Sequence, residues 1–246
     1  MSAWLDEMLR GFQEEARRHD FAVETFGQVG SWPLLALTRE TSGAQTVYLS
    51  AGVHGDEPAP VEALLALLRA GVFDERFSWR ICPVLNPTGL SLGTRENGEG
   101  VDLNRDYLLQ QSAEVRAHRV FLESSAVPFA MISLHEDWES SGFYYYEISL
   151  KNSNSCYDGV RRAAEKVMPM ELEKMIDGHE TEKPGWIYHV AKPDRAEEWP
   201  EAIFLAEQGC PRSFTLETPS ALPLAERVRC HTSVVEHLLD HFAQSE

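Results

Sequence analysis

The sequence has few basic residues and no long apolar run. Lys and Arg together number 22 against 39 Asp and Glu, which gives a formal net charge of −17. A chain this acidic repels phosphate backbones, so nucleic acid is excluded as an expected partner. The longest apolar run, residues 63–68, is far too short to cross a membrane. We therefore expect no membrane anchor.

The chain also lacks an export signal and paired cysteines. Residues 1–7 show no basic region followed by an apolar stretch, which is the pattern of a secretory signal. The four cysteines are far apart and form no Cys-x-x-Cys pair. This spacing indicates free or buried thiols in a reducing compartment rather than metal ligands. We therefore expect a cytoplasmic protein.

The length and the apolar content predict one compact α/β domain over residues 1–246. The chain is 43% hydrophobic and has no break in composition that would require two domains. A strand at Thr46–Ser50, a helix at 59–70 and a strand at 79–85 form the crossover unit typical of an α/β sheet. Periodicity predicts further helices near 3–18, 113–123, 158–167, 201–208 and 222–242, and further strands near 21–26, 32–37, 129–134, 143–148 and 212–216.

A histidine and a glutamate follow the first strand of this unit. His54 and Glu57 lie three residues apart in the sequence His-Gly-Asp-Glu, between the strand and the helix. In open α/β sheets, ligands bind beyond the carboxyl ends of the strands. A neutral imidazole and a carboxylate provide two of the three protein ligands of a catalytic zinc site.

Two later strands end on residues that could complete such a site. The strand near 129–134 ends on His135, which we predict to be the third zinc ligand. The strand near 212–216 ends on Glu217, the best candidate for the general base and acid. A single zinc ion per chain would then leave one coordination position open for catalysis.

Residues 86–106 show no periodicity but contain several side chains suited to substrate binding. Arg95 could stabilise the negative charge that develops on a carbonyl oxygen. The guanidinium of Arg105 and the amide of Asn104 suit the binding of a carboxylate. An irregular segment of this length inside a compact domain is usually functional or disordered. The presence of Arg95 and of the charged end at residues 101–106 argues against disorder.

Taken in chain order, these motifs resemble the zinc carboxypeptidase family of the carboxypeptidase A type, together with its succinylglutamate desuccinylase and aspartoacylase relatives. The resemblance covers residues 46–217. It rests on the following segments: His54-Gly55-Asp56-Glu57, Asn86-Pro87 with Gly89, Thr94-Arg95, Val101-Asp102-Leu103-Asn104-Arg105, Leu134-His135 and Phe214-Thr215-Leu216-Glu217.

The resemblance implies a fold and a role for each matching residue. The fold is a mixed, roughly eight-stranded sheet with helices on both faces. The family also has a mobile tyrosine before its catalytic glutamate, for which this sequence offers Tyr188 in the stretch 178–200 that we expect to cover the site. By resemblance, zinc is bound by His54, Glu57 and His135, the base is Glu217, the scissile carbonyl is polarised by Arg95, and the terminal carboxylate of the substrate is held by Asn104 and Arg105.

Three functions remain open at this stage. The first is a zinc carboxypeptidase that removes the last residue of a short peptide, such as one derived from the cell wall. The second is a deacylase of N-acyl amino acids, which Lys183, Lys192 or Arg195 in the pocket would support. The third is a non-catalytic protein that recognises peptide carboxylates. The deacylase relatives usually carry an additional carboxy-terminal β domain, and only 29 residues follow Glu217, which favours the first function over the second.

Overall fold

The computed structural model describes residues 2–150 and 156–244. They contain a mixed sheet of eight strands between two layers of helices, and a separate sheet of two short strands, residues 175–176 and 179–180. The predicted fold class is therefore confirmed. The strands are β1 Ala22–Val29, β2 Trp32–Arg39, β3 Thr46–Ser50, β4 Ser78–Cys82, β5 Ala130–Asp137, β6 Tyr144–Ser149, β7 Met175–Ile176, β8 His179–Glu180, β9 Trp186–Tyr188 and β10 Arg212–Pro219. The helices are α1 Ser2–Arg18, α2 Pro58–Arg69, α3 Pro87–Leu92, α4 Ala113–Glu123, α5 Tyr157–Ala164, α6 Glu201–Glu207 and α7 Leu224–Gln244, with a 3-10 turn at Leu103–Arg105.

The sheet has a parallel centre and largely antiparallel sides. Its order is β1-β2-β4-β3-β5-β10-β6-β9, and strands β4, β3, β5 and β10 all run parallel to their neighbours within this group. On the two sides, β1, β2 and β6 pair antiparallel to their inner neighbours. Parallel strands place their carboxyl ends at one edge, and the loops after β3 and β4 meet the ends of β5 and β10 there.

Both faces of the sheet are buried. Along β3, Val47 and Leu49 pack into one core with helices α1, α2, α5 and α7, whereas Tyr48 packs into a second core with α4 and α6. This alternation follows from the two-residue period of a strand. Among the described helices, none is both long and apolar enough to cross a membrane.

Two segments are more ordered than their sequences indicate. The stretch 86–106, predicted to be irregular, contains α3 and the 3-10 turn. Helix α3 has only six residues, too few for apolar periodicity to show, and it begins because the Asn86 side chain accepts a hydrogen bond from Gly89 N. The stretch 178–200 contains β8 and β9, and β9 joins the main sheet beside β6.

Close packing of two loops fixes the position of His54. Its neighbour Gly55 lies so near Gly89 that a Cβ atom on Gly55 would be 1.9 Å from the Gly89 carbonyl carbon. Gly55 N also donates to Arg95 O at 3.4 Å. The glycine is therefore required for backbone contact between the loop that follows β3 and helix α3.

We expect Gly55→Ala to lower the free energy of unfolding by about 2–4 kcal/mol, because backbone atoms of one loop must move. Urea unfolding measures this change. Gly98→Ala is the control, since its Cβ would meet only the Thr88 side chain, at 3.3 Å, and we expect a loss below about 1 kcal/mol. Equal losses in the two variants would contradict the proposed tight contact.

Candidate metal centre

His54, Glu57 and His135 converge at the carboxyl edge of the sheet. His54 Nδ1 lies 2.6 Å from Glu57 Oε1, and His135 Nδ1 lies 3.1 Å from Glu57 Oε2. The exposed fractions of the three residues are 2%, 4% and 1%, in chain order. Two imidazoles thus present the same ring nitrogen to the two oxygens of one buried carboxylate.

Local structure places each of these three side chains. His54 lies in the loop after β3, and Glu57 immediately precedes α2, whose first residue is Pro58. His135 lies within β5, which continues to Asp137 instead of ending at His135 as the sequence indicated. The three residues come from two neighbouring parallel strands, so their approach follows from the sheet order.

The electrostatics of this group depend on mutual pairing. Burial alone would lower the pKa of His54, but the carboxylates of Glu57 and Asp102 outweigh it and raise that pKa to about 9. Burial alone would raise the pKa of Glu57, but the two histidines hold it well below its usual range. For His135, burial is the larger influence and lowers the pKa. Glu57 is therefore ionised, and the two neighbouring imidazoles stabilise its negative charge.

The donor set fits a zinc ion. One ligand atom from each residue can be chosen so that all three lie within 4.8 Å of one another. Within the described parts of the chain, Glu57 Oε2 has no hydrogen-bond partner. Two imidazole nitrogens and a carboxylate with an open fourth position form a known catalytic zinc arrangement. Because a buried, unsatisfied carboxylate oxygen is costly, a cation between these three groups would stabilise them.

In His54 and in His135, the ring nitrogen that faces away from Glu57 has a hydrogen-bonding partner of its own. His54 Nε2 lies 3.1 Å from Asp102 Oδ1, and His135 Nε2 lies 3.1 Å from Ser133 Oγ. Such outer partners fix the orientation and tautomer of metal-binding imidazoles. Asp102 was quoted in the sequence motif without a role, and the structure places it directly against a candidate ligand.

Glu201 is linked to this arrangement by hydrogen bonds, and the sequence did not predict its role. Ser50 Oγ donates to Glu201 Oε2 at 2.7 Å and lies 3.0 Å from Ser133 Oγ, and Tyr48 Oη donates to Glu201 Oε1 at 2.5 Å. A hydrogen-bonded path therefore joins Glu201 to His135 through the two serines. The only sequence signal for Glu201 is its position at the start of a helix, which many surface glutamates share.

Glu217 lies beside His135 and faces a large cavity. The two residues are paired in register between the parallel strands β10 and β5. Desolvation, followed by the charge of Glu57, raises the pKa of Glu217 well above its ordinary value. Among the described residues, none forms a hydrogen bond with Glu217 Oε2. A raised pKa makes the carboxylate a stronger base, and its free oxygen is available to accept a proton.

Arg95, Asn104 and Arg105 also line this cavity. Arg95 Nη1 lies 3.8 Å from Glu57 Oε1, and its Nε donates to Asp102 Oδ2 at 3.0 Å. Asn104 Oδ1 accepts from the backbone N of Glu201 at 3.1 Å, so its amide is already oriented. The Arg105 side chain is more exposed and donates to Asn104 O at 2.9 Å. The structure therefore places all three of these side chains on the wall of the cavity that Glu217 faces.

Tyr188 does not line the cavity, and the register of β9 explains why. Tyr188 is the neighbour of Glu147 on β6, whereas Ile187 is the neighbour of Tyr146. Tyr146 lines the cavity, so Tyr188 points to the other face of the sheet, where its hydroxyl donates to Ser149 O. The position of Tyr188 thus gives no support to the predicted substrate contact, and the tyrosines of this region that line the cavity are Tyr144 and Tyr146.

The cavity has a volume of about 1130 Å³ and an acidic lining. Of the three cations proposed to favour an acyl amino acid, Arg195 lines it, but Lys183 and Lys192 are not among the lining residues. Arg195 is itself paired with Glu198 at 2.9 Å. The carboxylates on the wall, besides Glu57 and Glu217, are those of Asp102, Asp106, Glu136, Asp137, Glu139, Asp177, Asp194, Glu197 and Glu198.

Comparison with known proteins connects this geometry to one family. The family model described as the succinylglutamate desuccinylase/aspartoacylase catalytic domain matches residues 43–241. The solved structure of a candidate metallopeptidase from Shewanella denitrificans OS217 has a TM-score of 0.86 and 24% identity, and the match covers 98% of this chain and 92% of that chain. At this level of identity the likeness shows the fold.

Two curated proteins are similar over shorter stretches. Carboxypeptidase SOL1 from Arabidopsis thaliana is 41% identical over 66 residues, which are 22% of this chain and 13% of that protein. Murein peptide amidase A from Escherichia coli (strain K12) is 35% identical over 75 residues, 30% of this chain and 31% of that protein. The matches thus span less than a third of either relative.

We expect Glu201→Gln to change how stability depends on pH. Burial raises the pKa of Glu201 to about 7, so the folded protein holds a proton that the unfolded chain releases at lower pH. Stability should therefore fall by about 3 kcal/mol as the pH rises from below the ordinary glutamate pKa to above 7. This component should be absent from the variant, because an amide does not titrate.

Urea unfolding at pH 5 and pH 8 with a chelator present measures the difference without a contribution from metal binding. Glu207→Gln, at an exposed position of the same helix, is the matched control and should keep the wild-type pH dependence. An unchanged dependence in Glu201→Gln would show that Glu201 does not carry this proton.

Proposed function

Because the chain belongs to the succinylglutamate desuccinylase/aspartoacylase catalytic domain family, we propose that it is a zinc-dependent hydrolase of the carboxypeptidase type. In this proposal it cleaves the last amide bond of a short peptide that has a free carboxylate. The observation that carries the proposal is the convergence of His54, Glu57 and His135 beside Glu217. Each glutamate has one buried carboxylate oxygen that accepts no hydrogen bond from the described residues.

Zinc held by His54, Glu57 and His135 would lower the pKa of a water molecule and polarise a carbonyl group. Glu217 supplies the proton transfers. Its free Oε2 accepts the proton of the attacking water, and the raised pKa of the carboxyl group lets it deliver that proton to the leaving nitrogen. The amide bond breaks as the nitrogen is protonated, which releases the last residue as a free amine.

Arg95 stabilises the charge that develops on the carbonyl oxygen. Its guanidinium is held by Asp102 at 3.0 Å and lies near Glu57, so it is oriented before substrate binds. A preorganised cation is most effective where charge appears only in the transition state. In this arrangement Asp102 orients both Arg95 and His54.

Asn104 and Arg105 bind the terminal carboxylate of the substrate. A guanidinium fork binds a carboxylate through two parallel hydrogen bonds, and an amide adds a further donor. Because Asn104 Oδ1 is engaged by Glu201 N, its amide nitrogen is the end left to point toward a ligand. The substrate is thereby positioned with its last amide bond toward the metal centre.

The size and charge of the cavity favour a peptide over a small acidic acyl amino acid. A volume of about 1130 Å³ exceeds what a compact metabolite fills. The acidic lining disfavours an acidic acyl group, and Arg195 is paired with Glu198. The name of the relative Murein peptide amidase A supports testing cell-wall peptides first. The family match favours N-acyl amino acid deacylation as the second candidate.

Mass spectrometry of a mixed library of peptides and N-acyl amino acids, incubated with and without added Zn²⁺, tests the proposal. We expect zinc-dependent loss of the last residue from peptides. Release of acyl groups alone would replace the proposal with deacylation. Bound zinc with no turnover of any library member would contradict both activities and favour a carboxylate-binding protein.

We expect Glu217→Gln to keep zinc and to lose activity by at least about 100-fold, because the variant has no proton acceptor. His135→Ala should lose both zinc and activity, because one of three ligands is absent. Metal content measured by mass spectrometry and kcat measured on the best library peptide separate the two effects. Turnover by Glu217→Gln at the wild-type rate would show that another group is the base.

Arg105→Ala should raise KM roughly tenfold or more for peptides with a free carboxylate, because a charge-assisted hydrogen bond is lost. It should have little effect on the corresponding amidated peptides. The control is Arg195→Ala, which replaces a second arginine of the cavity wall. It should change KM by the same factor for free and amidated peptides. If Arg105→Ala raises KM equally for free and amidated peptides, the carboxylate is bound elsewhere.

A further inference from the structure

A second group of possible metal ligands lies on the wall of the same cavity. We infer that His179, His189 and Asp194 form a further divalent-metal site, separate from the zinc site proposed above. His179 Nε2 lies 3.2 Å from Asp194 Oδ2, and His189 Nε2 lies 3.3 Å from Asp194 Oδ1. One ligand atom from each residue lies within 4.8 Å of the other two. Both histidines lie in the stretch 178–200 that we expect to cover the site.

The spacing of these atoms is that of a metal site. Nitrogen and carboxylate ligands lie about 2.0–2.2 Å from zinc, so tetrahedral ligand atoms are about 3.3 Å apart. Each imidazole nitrogen lies near this distance from an Asp194 oxygen, 3.2 Å from Oδ2 for His179 and 3.3 Å from Oδ1 for His189. The two histidine rings lie with their centroids 4.7 Å apart at 66°, which directs both edges at the same carboxylate.

The His189 ring is held in the state that a metal requires. Its Nδ1 lies 2.6 Å from Val190 O and donates its hydrogen there. The opposite nitrogen, Nε2, is then unprotonated in the neutral ring and presents its lone pair toward Asp194. A backbone carbonyl on the far nitrogen is a common outer partner of metal-binding histidines.

Tyr146 packs against both rings and limits their movement. Its ring is 5.7 Å from that of His179 and 6.2 Å from that of His189, both nearly perpendicular. The Tyr146 hydroxyl donates to Asp177 Oδ2 at 3.1 Å, which fixes the tyrosine in turn. Two imidazoles are therefore oriented in advance on the cavity wall, which lowers the entropy lost on binding a metal.

Ion pairing alone would contribute little free energy to holding His179, His189 and Asp194 together. The Asp194 side chain is 65% exposed, and exposed ion pairs contribute only about 0–1 kcal/mol. A metal ion would instead bind all three residues and keep coordination positions open to the cavity. Two imidazoles and one carboxylate favour Zn²⁺, Co²⁺, Ni²⁺ or Cu²⁺ over Mg²⁺ and Ca²⁺. Because these ligands are more exposed than those of the first site, we expect weaker binding.

Zinc binding to the chelator-treated protein tests the inference, with calorimetry for affinity and metal analysis after dialysis for stoichiometry. We expect two Zn²⁺ per wild-type chain, one tight and one weaker. His189→Ala and Asp194→Asn should each lose the weaker ion and keep the tight one. His135→Ala should lose the tight ion and keep the weaker one. His19→Ala, a histidine outside both groups, is the control and should bind two.

The readout is metal stoichiometry, so its outcome does not depend on the substrate proposed above. Binding of only the tight ion by the wild-type chain at saturating Zn²⁺ would overturn the inference. Two ions bound to His189→Ala and to Asp194→Asn would also overturn it. Loss of only the tight ion by His135→Ala would show that the two sites bind zinc independently.

Discussion

The structure depends on one buried carboxylate held between two imidazoles. Glu57 is almost inaccessible to solvent, and its two oxygens face His54 and His135. A buried charge is tolerated only when it is paired, so these side chains must be held in place by the fold. The close contact between Gly55 and Gly89 fixes the first pair, and the parallel alignment of β3 and β5 brings the third residue to it.

Support for this centre extends to the groups proposed to bind substrate. Glu201 reaches His135 through Ser50 and Ser133, and its backbone nitrogen donates to the Asn104 side chain. One residue at the start of α6 thus contacts both the metal-side network and the proposed carboxylate site. On the other side, Asp102 connects to His54 and to Arg95. The proposed metal site and the proposed substrate site are therefore connected by one network of hydrogen bonds.

The sequence was informative where a residue type coincides with a strand end. His54, His135 and Glu217 follow apolar strands, and this pattern predicts both the sheet and a shared edge. Contributions that depend on register or long-range packing were not predictable. Tyr188 looked suitable by residue type, but the pairing of β9 with β6 turns it away from the cavity. Glu201 carries no periodic signal, because its burial results from packing against residues some 150 positions earlier.

We propose that Glu57 and the two histidines bind zinc, with Nδ1 of each ring as the ligand atom because these nitrogens face the carboxylate. Crystals grown with Zn²⁺ and measured at the zinc absorption edge test it directly. The account predicts an anomalous peak within about 2.0–2.2 Å of His54 Nδ1, His135 Nδ1 and a Glu57 oxygen, with Glu217 facing the same cavity. A peak absent from this position, in crystals that show intact side chains there, would contradict the account.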